Sequence, residues 1–358
     1  MNEVFAYTPI PVGAIAKALS DNMPVPEGDE QHYVRAANVN TLMVVDAGYD
    51  SDDLESYLLT LSQVHPNRSF VIVIDQSRAE IGIEYSARCH AIGPKEHVCS
   101  EVIRLSAPSS SKEAVASIVR ANLLTGMPSE LCVYRPPKEL SLVHQMAQLA
   151  EQVLFSSSDF ENSLSALVPF LQENHLLVDL DWVKLGIWRD QIREVFDRPA
   201  WAARLADIER IEIRGESPHK GSIPIGALLL GGWLANQMDY KIVSGKGSVF
   251  TLEATSGKRI SLVLTGGDCG DSSKVKLVTL EFSAAHGAPA GVVNMRRCGN
   301  GSGRLETAVN LGEEFRFSKL FDDEDRNDLI MRYFFIGEST LNYPKSLRIA
   351  LAFSGVEV

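Results

Sequence analysis

The sequence predicts an α/β amino-terminal domain built on a mostly parallel, Rossmann-like sheet. An α+β domain with an antiparallel meander sheet is predicted to follow it. Three observations carry this. From residue 41 to about 200, short runs of wholly apolar, strand-type residues alternate with helical patterns, as expected where strands are buried on both faces. Beyond residue 240, strand-type segments follow one another across Gly-rich joins, the pattern of hairpin-linked strands. Between the two regions, DRPAW (197–201) breaks a long amphipathic helix. The reading is therefore an extension over 1–40, an α/β domain over 41–200 and an α+β domain over 201–358.

In chain order, Val12 to Leu19 has a short helical pattern, and MPVPEGDEQ (23–31) reads as a loop. TLMVVD (41–46) is a buried strand. The helix from Ser51 to Val64 carries Leu54, Tyr57, Leu58 and Leu61 on one face, and its start is rich in acids (Asp50, Asp52, Asp53, Glu55) that suit a helix N-terminus. SFVIVID (69–75) is a second buried strand, and Ile81–His90 with His97–Leu105 suggests an antiparallel pair. Ser110 and Glu113 form a capping-box pattern, PPKEL opens a helix, and LCVYR (131–135) and VLFSSSD (153–159) are strands. A helix is expected over Phe160–Glu173, and another over Trp182–Phe196 with Trp182, Leu185, Trp188, Ile192 and Phe196 on one stripe.

The second half opens with a strand (Ile208–Ile213) and an apolar helix (Ile223–Met238). Strands are expected at Tyr240–Val243, Ser248–Ala254, Arg259–Leu264, Lys274–Ala284, Gly291–Arg297 and Arg304–Asn310, with GGDCG (266–270) and GNGSG (299–303) among the joins. Helices over about 323–337 and 343–353 follow.

Hydrophobic residues make up 45% of the chain and charged residues 22%, ordinary for a globular protein with a sizeable core. A net charge of −12 argues against nucleic acid or an anionic membrane surface as partner. The N-terminus has neither a basic start nor a long apolar run, and no segment has the ~20 apolar residues of a membrane span, so a cytoplasmic protein is expected. Five scattered cysteines (Cys89, Cys99, Cys132, Cys269, Cys298) read as reduced thiols.

No pattern names a catalytic, cofactor or metal site. The turn after the first α/β strand, DAGYDSDD, has one glycine and a cluster of acids, where a dinucleotide fingerprint needs a Gly-rich cradle. Cys89, His90, His97 and Cys99 are metal-capable, but on paired strands Cys89 and His90 face opposite ways, so at most three converge. Core cysteines and ordinary histidines account for them better. Asp179/Asp181 and Asp322/Asp323 fit helix starts, and Arg296, Arg297 and Arg304 flank a hairpin turn. The aromatic stripe is core in type, yet Trp and Arg are enriched at binding hot spots. Trp188 and Arg189, with Trp182 and Arg193, are thus the candidate partner-binding residues.

Six segments together resemble the OpcA family of glucose-6-phosphate dehydrogenase assembly proteins. They are RAANVNTLMVVD (35–46), HPNRSFVIVID (65–75), EHVCSEVIRL (96–105), DLDWVKLGIWRDQIREVFD (179–197), ALLLGGWLANQMDY (227–240) and FIGESTLNYPKSLRIAL (335–351), in the family's order. In the last, Glu338 and Asn342 stand where other residues are usual. The resemblance implies a two-domain, non-catalytic protein that binds glucose-6-phosphate dehydrogenase as a hetero-oligomer. It implies promotion of the active oligomer, an allosteric role at the entry to the oxidative pentose phosphate pathway and its NADPH supply, with no cofactor of its own. A competing reading is a sugar-phosphate or nucleotide sensor or enzyme, with Arg78 and Arg135 holding a phosphate at the carboxyl ends of the N-domain strands.

Overall fold

The computed structural model describes residues 2–21, 32–173, 175–217, 219, 221–285, 287–299, 303–337 and 340–357. The loop expected over 23–31, His286, the centre of GNGSG and Glu338 lie outside the described residues. The described chain forms two compact units. One comprises residues 1–159, 169–178 and 326–337; the other comprises 160–168, 179–325 and 338–358. Neither is a single stretch of chain.

In the first unit, β1 (Asn2–Val4), β2 (Thr8–Pro9), α1 (Ile15–Asp21) and β3 (His32–Arg35) precede the alternating pattern. Then come β4 (Val39–Asp46), α2 (Ser51–Val64), β5 (Asn67–Ile74), β6 (Gly82–Ala91), β7 (Glu96–Ala107), α3 (Lys112–Asn122), β8 (Ser129–Cys132), α4 (Ser141–Ala147), β9 (Gln152–Phe155), α5 (Val168–Gln172) and β10 (Leu176–Asp179). The sheet order is β1-β6-β7-β5-β4-β8-β9-β10, with β2 also on β6 and β3 on β7. Counted from β4 without the β6 insertion, the strands fall in the order 3-2-1-4-5-6, that of a Rossmann sheet. The β4–β5, β5–β7, β4–β8 and β8–β9 pairs are parallel, and β6–β7 is the antiparallel pair expected from sequence. Leu42 to Val45 and Phe70 to Ile72 are sealed from solvent because helices cover both faces of the sheet, which is why those runs are apolar without alternation.

Several local expectations are corrected. PPKEL is irregular and α4 begins at Ser141, since its two prolines remove backbone donors before the helix. Ser111, not Ser110, precedes α3, and its side chain makes no cap bond. The helix expected over Phe160–Glu173 is a 3-10 stretch (Ser157–Leu167) followed by short α5. The strands β1, β2, β3 and β10 were not legible in the pattern.

The second unit begins with α6 (Leu180–Lys184), α7 (Gly186–Phe196), α8 (Pro199–Ala202), β11 (Ile208–Ser217) and α9 (Ile225–Gln237). It continues through β12 (Lys241–Lys246), β13 (Val249–Glu253), β14 (Arg259–Cys269), β15 (Val275–Phe282), β16 (Gly291–Cys298), β17 (Gly303–Asn310) and β18 (Glu314–Phe321). The helix α10 (Arg326–Arg332) belongs to the first unit, and α11 (Tyr343–Phe353) closes the second. The sheet order is β12-β13-β14-β11-β15-β16-β17-β18. Every pair is antiparallel except β11–β14, so the meander is interrupted where β11 inserts beside β14.

GGDCG does not form a join: Gly266 and Gly267 lie inside β14. A Cβ on Gly266 would stand 2.5 Å from the Ser222 carbonyl oxygen, so this close approach of backbone requires glycine. Asp323 does not open a helix; it pairs with Lys274 (2.8 Å) and Arg297 (3.0 Å). The helix α9 is buried all round from Ile225 to Ala235, packed on β11, β14 and α11. Among the described residues, no helix is long and apolar enough to cross a membrane.

Candidate functional site

The aromatic stripe is one element in sequence and two in space. The chain bends at Leu185, which ends α6 and starts α7. Asp179 caps α6 by accepting from the Asp181 amide (3.0 Å), and it also accepts from the Tyr343 hydroxyl (2.9 Å). The capping role expected of this aspartate pair is therefore present. Trp182 meets the Tyr343 ring edge-on at 5.3 Å, and the Arg189 guanidinium lies over the Trp182 ring at 3.9 Å.

Of the four residues expected to meet a partner, three are internal. Trp182 is 1% exposed, Trp188 4% and Arg189 1%. The heptad-like spacing that made them conspicuous turns them inward, and Arg189 spends its charge on the Trp182 ring and carbonyl. Arg193 alone faces solvent, its side chain 50% exposed and held by Asp190 at 2.9 Å. It also lies 5.6 Å from the Trp233 ring centroid. With Glu194, Asp197 and Arg198, these residues form an exposed ridge of mixed charge over an aromatic base.

The other place to examine is the carboxyl edge of the first sheet, where Rossmann-type sheets hold their ligands. The helix that follows the first strand, α2, would offer its free amides to a phosphate. Here the Asp50 carboxylate takes them, accepting from Asp52 N (3.1 Å) and Asp53 N (3.2 Å). The two arginines that could hold an anion are also committed: Arg78 pairs with Asp75 (3.3 Å) and Arg135 with Asp53 (2.7 Å). Tyr134 donates to the same Asp53 carboxylate, and burial with that bond pushes its hydroxyl pKa well up. Asp46 accepts from the Lys138 amide at 2.9 Å. The edge is a lattice of carboxylates satisfied from within.

The four metal-capable residues do not converge either. β6 and β7 pair with Cys89 opposite Cys99, their Cα atoms 4.0 Å apart, and the two form a disulfide buried in the first unit. This corrects the reading of five reduced thiols; Cys132 and Cys298 are free. The signal was present in the sequence: both cysteines are equidistant from the Pro94 turn, so an antiparallel hairpin centred there must bring them together. Among the described residues, no group of three or more His, Cys, Asp or Glu is placed to hold a metal. At the hairpin beyond β16, Arg296 and Arg304 both pair with Glu306, and Arg297 with Asp323.

Two family models match the chain. Residues 59–171 match the glucose-6-phosphate dehydrogenase subunit N-terminal domain, and 175–301 match the subunit's C-terminal domain; together they span more than half of the sequence. This chain belongs to the OpcA family. It is 31% identical over 151 residues to an OxPP cycle protein OpcA of Nostoc punctiforme, an alignment covering 41% of this chain and 32% of that protein. It is 28% identical over 170 residues to the OpcA protein of Synechococcus elongatus, covering 46% and 37% respectively. The alignments thus span about a third of the length of these relatives. Among solved structures, the chain is similar to a biliverdin reductase of Synechocystis, with a TM-score of 0.42 and 8% identity over 89% of this chain and 97% of that one.

Proposed function

We propose that this OpcA-family chain is a non-catalytic assembly and activation factor that binds glucose-6-phosphate dehydrogenase and favours its active oligomer. The observation that carries the reading is the filled anion seat: Asp50 occupies the amides of α2 that a phosphate-binding member of this fold leaves open. A frame of this type with its ligand edge closed by aspartates is suited to presenting surface. The two matched domain models, both described as parts of a glucose-6-phosphate dehydrogenase subunit, support the choice of partner.

The contact we propose is the α7 ridge, with Arg193 and Asp190 exposed and Trp182, Trp188 and Arg189 holding the helix rigid from inside. A rigid element reduces the ordering cost of association. No chemistry is needed. A factor that binds the active oligomer a hundredfold better than the inactive form shifts that equilibrium by ~2.7 kcal/mol.

The test is to mix the chain with the dehydrogenase of the same organism and measure oligomer mass and enzyme activity on the same samples, reduced and oxidised. A heterocomplex with raised activity is the expected result. Separate species with unchanged activity under both conditions would overturn the reading, and thermal stabilisation of the isolated chain by glucose 6-phosphate or NADP would move the assignment to a ligand sensor.

A further inference from the structure

The opposite edge of the first sheet holds a cavity of about 530 Å³, within the size range of small-molecule sites. It lies at the amino ends of the parallel strands, walled by the first residues of β4, β8, β9 and β10. This is the edge that Rossmann-type sheets do not use for nucleotides. Two carboxyl residues, Glu130 and Glu151, line it, and no lysine or arginine does.

Glu130 is the unusual member. It sits on β8, a central strand, and is 3% exposed. Its Oε1 accepts from Thr41 Oγ1 at 2.8 Å, and the described residues give the carboxyl neither a second donor nor a cation. A carboxyl buried so deeply is normally paired, because desolvating the charge is costly. Burial raises its pKa accordingly. The rest of the wall does not supply the missing positive charge. Burial lowers the His65 pKa, which disfavours the imidazolium, and the ring meets Phe334 edge-on at 4.3 Å. Leu176, 48% exposed, stands at the cavity with an apolar side chain. The cavity therefore offers a carboxyl at its wall and apolar and aromatic surface beside it.

We propose that this cavity is a binding site for an alkyl cation, an ammonium or guanidinium on a short aliphatic stem, with Glu130 as the counter-charge and Phe334 and Leu176 against the stem. An anionic ligand such as a sugar phosphate is excluded by the same charges. The inference rests on the cavity alone and stands apart from the assembly role.

The experiment is a calorimetric titration of the full chain with agmatine, with inorganic phosphate as the anionic control. The expected result is saturable one-to-one binding of agmatine and none of phosphate. Glu130→Gln, which keeps the shape and the Thr41 bond, weakens agmatine at least tenfold. Leu176→Trp, which fills the cavity without touching Glu130, abolishes binding and keeps the proposal testable if the first variant fails to fold. Absence of agmatine binding, binding of phosphate, or equal affinity in both variants overturns it. The source of the cation is then separated by mixing agmatine-saturated chain with the dehydrogenase. A weakened heterocomplex assigns the site to a basic side chain of the partner, and an unchanged one assigns it to a free small cation. If no heterocomplex forms even without agmatine, the assembly reading fails and the titration result stands.

Discussion

The Arg189 guanidinium lies 3.9 Å from the centroid of the Trp182 ring, and its Nη1 donates to the Trp182 carbonyl oxygen at 2.6 Å. One buried cation thus ties the first turn of α7 back to α6 across the bend at Leu185, using both a ring face and a main-chain carbonyl. Arg189→Met is expected to cost about 2–4 kcal/mol, read as a lower urea midpoint, because it removes the ring contact and a buried hydrogen bond together. Arg189→Lys recovers only part, since an ammonium lacks the planar face.

Gly232 tests the packing of α9 on α11. Alanine favours a helix interior over glycine by about 1 kcal/mol, so propensity alone makes Gly232→Ala stabilising. Its Cβ, however, would collide with the Ser346 carbonyl oxygen and press on Ala350. A net loss of about 1–3 kcal/mol is expected from thermal or chemical unfolding; a gain would mean that the two helices separate freely.

The Cys89–Cys99 bond closes a hairpin between β6 and β7. Loop entropy for a ring of this length is worth about 2–3 kcal/mol. Denaturation with and without reductant should differ by that amount in the native chain and not at all in Cys89→Ser. Equal midpoints in the native chain would show that the hydrogen-bonded ladder holds the hairpin unaided.

Glu130 makes stability depend on pH in a stated direction. Burial raises its carboxyl from the ordinary 4.5 to about 7. Below pH 4.5 it is neutral in both the folded and unfolded chain. As pH rises, the unfolded chain releases the proton first, so the native state loses stability progressively until about pH 7. The loss is on the order of 3 kcal/mol. Unfolding free energies at pH 4.5 and 8 should therefore converge in Glu130→Gln relative to the native chain, apart from effects of other groups common to both.

Arg193 is an exposed cation of the proposed contact. Arg193→Glu should leave the melting temperature within a degree or two, because its pairing with Asp190 is solvent-exposed and worth less than about 1 kcal/mol. The same change should weaken the complex with the dehydrogenase about tenfold in a binding titration. Unchanged affinity would move the contact away from α7.

What was legible in the sequence was what depends on near neighbours. The apolar runs of β4 and β5, the acid-capped start of α2 and the burial of Trp182, Trp188 and Ile192 all follow from local periodicity, although the single helix expected over Trp182–Phe196 is two helices that meet at Leu185. The misses depend on distant partners. Nothing local marks the edge strand β18, because Phe315, Arg316, Phe317 and Lys319 are half or fully exposed and carry no clean alternation. The parallel insertion of β11 beside β14 spans a helix and a hairpin, so no local pattern announces it. The candidate contact rests in the sequence on residue type alone. Tryptophan and arginine mark both interfaces and cores, and only the burial of Trp188 and Arg189 separates the two.

The all-round burial of α9 has a consequence for the birth of the protein. Most of its sheath is made after it: β14 follows, and α11 begins at Tyr343, more than a hundred residues beyond Gln237. At ordinary rates of translation that interval lasts on the order of ten seconds. Throughout it, a helix carrying Leu228, Leu229, Leu230, Trp233 and Leu234 on every side stands without its cover. The nascent chain should therefore be a client for holding chaperones over this window. Ribosome-bound fragments truncated before Tyr343 should aggregate where the full-length product does not.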